Sequence, residues 1–302
     1  MLCRAAPGCR ATLLVHMAAA PYPYDADPNR NEPAFFQGRD PTTGEGTRSR
    51  ADRTFSAGGN YADDRVLIHV PPGFDPARPF RILLFFHGHL ATLRRDVVGR
   101  YDIPGQVNAS GRNVILIAPQ LARDAIDSHP GKLIRQNGVA DLLAEALPVV
   151  ARETGLDPDR LARAPVVLAG FSGGNIAVVT ALERGGIPGR IAGVILMDAL
   201  FSEMDRYARW FEANDQRAFL FVLYGEATER NTDELIAAFR ERNLRFAVRF
   251  PAGEIAGDAN FFIRVETKHV DIPSDGPPRA PLAAILHRLP PFEAFALVPP
   301  TR

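Results

Sequence analysis

The sequence predicts an α/β fold with one mostly parallel central sheet and helices on both faces. Three observations carry this. Short runs that are nearly all apolar and rich in β-branched residues, "FRILLFFHGHL", "NVILIAPQ", "PVVLAGFS", "IAGVILMDA" and "AFLFVLYGE", have the composition of strands covered on both sides. Stretches of helical character alternate with the later runs: "VADLLAEALPVVARETG", "GNIAVVTALERG", "EMDRYARWFEAN" and, after the last, "TDELIAAFRERN". Each run also closes on a polar or small residue, which places polar groups at one rim of such a sheet.

At the start of the chain, Arg4 and Arg10 precede "ATLLVHMAAAP". This run reads equally as a short signal-peptide core and as an over-extended start ahead of Met17, since His16 interrupts it and Pro21 follows the obvious cleavage point. From Tyr22 to Arg53 the residues are polar and rich in Pro, Gly, Asp and Arg, which predicts a mobile or surface-wrapping lead-in. The expected organisation is therefore a lead-in over 1–53 and a single domain over 54–302. That domain opens with "RVLIHVPPGF", an alternating edge-side strand ending at prolines, and the turn-forming "PPGFDPARP" leads into the first fully apolar run. A late strand, "FFIRVETK", precedes "HVDIP".

Composition narrows the function. The 302 residues carry 35 basic and 35 acidic side chains with no charged block, so nothing marks a nucleic-acid or anionic-membrane footprint. No segment reaches the roughly twenty apolar residues of a membrane span. Cys3 and Cys9 are the two cysteines, which leaves the body of the chain without a disulfide framework, a thiolate metal site or a cysteine nucleophile. The histidines lack metal-ligand spacing, and His87 and His89, two apart, lack a third partner. Neither a metal nor a cofactor is expected.

In a parallel sheet the chemistry sits just past the carboxyl ends of the strands. Those ends carry His87-Gly88-His89, Phe171-Ser172-Gly173, Asp198, Gly225-Glu226 and His269. In "LAGFSGGNIAV" (168–178), Gly170, Gly173 and Gly174 permit a tight strand-to-helix turn that lifts the Ser172 hydroxyl above the sheet. The same turn aims the Gly173 N–H at the place where an oxyanion would form. G-x-S-x-G alone is unspecific, and a glycine-rich turn whose serine satisfies local backbone groups is the plain alternative. The strand before it and the helix after it favour the nucleophile.

These ordered features (His87-Gly88 after a buried strand, the elbow around Ser172, then an acid and a late histidine) resemble the α/β-hydrolase superfamily from about Arg65 to the end. Within it the chain looks most like bacterial esterases of unassigned substrate. The resemblance implies the α/β-hydrolase fold, a serine-triad mechanism and hydrolysis of acyl bonds without a cofactor. Two histidines follow the serine in the required order. His269 follows a strand and begins a loop, whereas His287 lies in "PLAAILHRL" at helical spacing, so His269 is the expected base. For the acid, Asp198 closes a fully apolar strand and would otherwise be a buried charge without a partner. Glu226 is the alternative, although "GEATERNT" departs from the superfamily's usual aspartate after the later strand.

The expected oxyanion donors are the N–H of Gly173 and that of His89 or Leu90, with His87 ordering their loop and His89 either touching substrate or facing solvent. The lid is expected to be minimal, because "EMDRYARWFEAN" can form only a short helix. The polar loop "PQLARDAIDSHPGKLIRQNG", with Phe201 and Trp210, is expected to shape a fairly open site. Such a site suits a small ester, polar or sugar-bearing. A peptidase or amidase, an acyltransferase, and a non-catalytic binding protein on the same fold are the rival readings.

Overall fold

Eleven strands carry the architecture in the computed structural model, which describes residues 11–26, 32, 34–215, 217–256 and 259–290. They are β1 (Ala11–His16), β2 (Gly38–Arg39), β3 (Gly46–Arg50), β4 (Arg53–Ser56), β5 (Arg65–Val70), β6 (Arg81–Phe86), β7 (Val114–Pro119), β8 (Val166–Phe171), β9 (Ile191–Met197), β10 (Phe219–Tyr224) and β11 (Asn260–Arg264). Eight of them form the central sheet in the order β1-β5-β7-β6-β8-β9-β10-β11, while β2, β3 and β4 form a small antiparallel sheet. In the large sheet β5 runs antiparallel to both neighbours, and every other pair is parallel.

The apolar runs become strands covered on both faces because successive side chains point to opposite sides. Ile82, Leu84 and Phe86 of β6 enter one core with Val139 and Leu142 of helix Gly138–Thr154, Ala177 of helix Asn175–Arg184, Tyr207 of helix Met204–Ala213 and Leu235 of helix Glu229–Glu241. Leu83 and Phe85 enter the opposite core with Val107 of helix Ile103–Ala109 and Ile285 of helix Pro281–Arg288. All six residues of each of β6, β7, β8 and β10 are buried.

The beginning of the chain differs from its expectation. The apolar run after Arg10 is β1, so the sheet starts ahead of residue 53, and β5 is the second strand rather than an edge one. Buried His69 of β5 ties the two together, one ring nitrogen against Thr12 Oγ1 at 2.8 Å and the other against Asn108 Oδ1 at 2.8 Å. Residues 1–10, which include Cys3 and Cys9, lie outside the described residues. In the polar segment that follows, the described Tyr22, Tyr24 and Phe35 are buried in a satellite cluster with Phe55, Tyr61, Ala122 and Ala125. Aromatic burial of this kind outweighs the ordering cost that the segment's polarity suggested would prevail.

The carboxyl ends of β6, β8, β9, β10 and β11 carry the residues singled out above. Among the described residues between β9 and β10 the only helix is the ten-residue Met204–Ala213. Among the described residues no helix is long and apolar enough to cross a membrane.

Candidate active site

Ser172 sits where β8 passes into helix Asn175–Arg184, with a backbone φ of 53°. A residue with a side chain pays about 1–2 kcal/mol for that left-handed conformation, so the surrounding packing must impose it. The adjacent glycines show how. A Cβ at Gly174 would stand 2.3 Å from the Phe86 carbonyl oxygen, and one at Gly170 would stand 2.8 Å from Val178 Cγ2. Only bare backbone lets the new helix pass this close to the ends of β6 and β8.

His269, just past β11, places Nε2 3.0 Å from Ser172 Oγ and Nδ1 2.7 Å from Asp198 Oδ2. An ionised carboxylate only accepts, so Nδ1–H donates to Asp198 and Nε2 is left to accept from the serine hydroxyl. Asp198 follows β9 at φ 45° and is fully buried. Burial opposes its charge, but hydrogen bonds from His269, from the Thr228 hydroxyl and from the Gly225 N–H (3.0 Å) outweigh that and hold the carboxyl below its usual range. Phe171 stacks on the His269 ring at 5.0 Å, and Phe201, 45 % exposed, meets it edge-on at 5.5 Å.

The structure brings Ser172, His269 and Asp198 together and leaves the alternatives apart. Glu226 reaches the rim but stays exposed, lining an open cavity of about 560 Å³ beside His269 with Arg264, Glu266 and Lys268. His287 lies in helix Pro281–Arg288 and donates through Nδ1 to the Ser110 carbonyl, 3.0 Å away. Trp210, expected near the pocket, instead turns into the helical layer, where Nε1 donates to the Leu182 carbonyl; of that aromatic pair Phe201 alone contacts the histidine. Thr228 is a partner that sequence reasoning missed, in the same "GEATERNT" that departs from the superfamily pattern.

Facing Ser172 is the loop after β6. His87 is buried: Nδ1 donates to the Gly88 carbonyl at 2.8 Å, while Nε2 accepts from the Leu121 N–H at 2.9 Å and the Gln120 amide at 2.7 Å. Burial pushes its pKa down to about 4, so the ring is neutral at pH 7 and fixes the turn it stands on. A Cβ on Gly88 would lie 2.7 Å from Ser172 Cβ, so the loop approaches the serine as closely as glycine allows. The Leu90 N–H is committed to the Ala125 carbonyl at 2.9 Å, which removes it from the expected donors. The His89 N–H meets no acceptor among the described residues. The His89 side chain is exposed, and its Nε2 lies 2.7 Å from Ser128 Oγ. Among the described residues no three His, Cys, Asp or Glu side chains are grouped to hold a metal.

No family model matches the chain, and no curated protein matches it. Among solved structures it is similar to a mutant feruloyl esterase module from Clostridium thermocellum complexed with sinapinate, with a TM-score of 0.50 at 13% identity over 94% of this chain and 97% of that one. An S-formylglutathione hydrolase from Agrobacterium tumefaciens (TM-score 0.44, 10% identity, 84% and 99% covered) and a thermostable esterase from Pseudomonas putida (TM-score 0.42, 16% identity, 83% and 80% covered) are more distant. With one antiparallel strand second in an otherwise parallel eight-stranded sheet, and with the first of these neighbours matching over nearly its whole length, the chain has the α/β-hydrolase fold.

Proposed function

We propose that the protein is a serine hydrolase that cleaves a small carboxylic ester through an acyl-enzyme. The observation that supports this most directly is the continuous hydrogen-bonded chain from Ser172 through His269 to a buried, ionised Asp198. In the first half-reaction Ser172 Oγ attacks the ester carbonyl carbon as His269 Nε2 takes the hydroxyl proton. The imidazolium is stabilised by Asp198, which stays ionised. Charge on the carbonyl oxygen is met by the N–H groups of Gly173 and His89. Collapse of the tetrahedral species breaks the bond to the alcohol, which leaves with the proton from His269. Water then repeats the sequence on the acyl-enzyme, with His269 as base, and releases the acid.

The open cavity beside His269, lined by Glu226, Arg264, Glu266 and Lys268, favours an ester with a polar or sugar-bearing portion. The test is labelling of the purified protein with a fluorophosphonate, together with hydrolysis of short p-nitrophenyl esters and the matching anilides. Label on Ser172, with ester turnover that Ser172→Ala abolishes, is the expected result. Unchanged ester hydrolysis in Ser172→Ala would overturn the reading, and faster cleavage of the anilides would make the enzyme an amidase.

A further inference from the structure

We infer that Ser128 is a positioning residue for the oxyanion loop, held in place through Asp127 by Arg48 of the N-terminal segment; this rests on the serine-hydrolase reading above.

The contact that matters is the 2.7 Å hydrogen bond between Ser128 Oγ and His89 Nε2. Both groups lie over the elbow: a Cβ on Gly173 would stand 2.5 Å from His89 Cδ2, 2.6 Å from His89 Nε2 and 2.7 Å from Ser128 Oγ. The pair therefore bridges the two stretches of backbone whose N–H groups are assigned to the oxyanion. His89 stands in a turn with Leu90 in the left-handed region at φ 55°, a conformation that needs outside support. The loop carrying Ser128 supplies that support twice, once by backbone (Leu90 N–H to the Ala125 carbonyl) and once by the serine hydroxyl.

That loop has no regular structure of its own around Ser128, and the neighbouring Asp127 is the anchor next to it in the chain. The Asp127 carboxylate is buried and accepts from Arg48 Nε at 2.5 Å, from the Tyr61 hydroxyl at 3.1 Å and from the His129 N–H at 2.9 Å. Arg48, equally buried, is in turn oriented by a bond from Nη1 to the Phe35 carbonyl at 2.7 Å and by its guanidinium lying 4.3 Å from the centre of the Phe35 ring. A buried guanidinium that serves a carboxylate and a carbonyl at once has a fixed direction, which the point charge of lysine does not reproduce. Residues 34–56, polar and irregular in sequence, are in this way a working part of the site.

The experiment compares wild type, Ser128→Ala, Ser128→Thr and Arg48→Lys as full-length proteins. Each is assayed for kcat and KM on a p-nitrophenyl ester, for inhibition by a trifluoromethyl ketone whose tetrahedral adduct draws on the oxyanion donors, for Tm, and for the His89 ring signals by NMR. Ser128→Ala is expected to lower kcat 10- to 100-fold with KM within twofold, to weaken the inhibitor by the same factor, and to leave Tm within a few degrees. Ser128→Thr is expected to recover activity to within threefold, and Arg48→Lys to lower kcat severalfold while shifting the His89 ring signals in the direction seen in Ser128→Ala.

Wild-type kcat and inhibitor affinity in Ser128→Ala would overturn the inference, as would a loss confined to KM or Tm. Undisturbed His89 signals in Arg48→Lys would overturn the part played by the N-terminal segment. Should wild type itself neither turn over esters nor take the fluorophosphonate, the hydrolase reading fails on its own. The NMR arm then still decides whether Ser128 and Arg48 fix His89.

Discussion

The two walls of the site are built in different ways. On one, Ser172 and Asp198 are set by the backbone at a strand end, each with a positive φ, and His269 stands five residues past the end of β11. On the other, His87 to Leu90 are held by side chains and loops from elsewhere, and the ion pair behind them joins residues 79 apart in the chain. The first wall inherits its rigidity from the sheet. The second depends on buried polar groups, each of which becomes a cost when its partner is removed or its charge changes.

The largest expected effect tests the first wall. Asp198→Asn should lower kcat by about 10³- to 10⁴-fold, roughly 4–5.5 kcal/mol in the barrier, because an amide can hold the imidazole in the wrong tautomer. Glu226→Gln should stay within about twofold. Steady-state kinetics on one ester decides, and a large loss at Glu226 would break the comparison at its better-defined side.

The next tests the second wall through pH. His87 is neutral when folded, down to about pH 4, whereas in the unfolded chain it gains a proton near 6.5. Between those values the unfolded state binds more protons, so stability falls as pH falls, by up to roughly 3 kcal/mol from this group. His129, also pushed down to about 4 by burial, adds in the same direction. The lowered carboxyls of Asp198 and Asp127 contribute only further down, as pH drops below their unfolded values. Urea unfolding at pH 7, 5.5 and 4 should show the slope, and His87→Gln should flatten part of it.

Glycine substitutions sharpen the contrast at smaller scale. Gly174→Ala drives a methyl against the Phe86 carbonyl and should cost about 1–3 kcal/mol in thermal or urea unfolding. Gly173→Ala meets side chains, His89 and Ser128, that can swing aside, so it should cost less stability and more activity. The smallest effect is Thr228→Val, which removes one of the bonds holding Asp198 and should cost about 1 kcal/mol and a few-fold in kcat.

What could be read from the sequence follows the same division. The elbow, the order of serine, acid and histidine, and the buried strands are local patterns, and they appear where the spacing puts them. Thr228 and Ser128 act through bonds that no local pattern encodes. The strand β1 was hidden because a six-residue run with four apolar side chains is too short to declare a strand by itself, and its pairing partner β5 lies some fifty residues away. Tyr22 and Tyr24 are two apart but stand between prolines in no strand, and Phe35 continues no period with them, so their joint burial emerges only once Tyr61 and the loop near Ala125 arrive. Trp210 was misplaced because the sequence shows its proximity to Asp198 along the chain but not which way its helix turns.

The brevity of the β9–β10 connection has a kinetic consequence. Among the described residues a ten-residue helix is the only helical cover there, tied by Trp210 and Tyr207 to the layer beneath, and none of them forms a flap beside Phe201 that an oil–water boundary would need to peel back. Turnover should therefore rise smoothly with dissolved ester and show no jump when the substrate begins to form droplets.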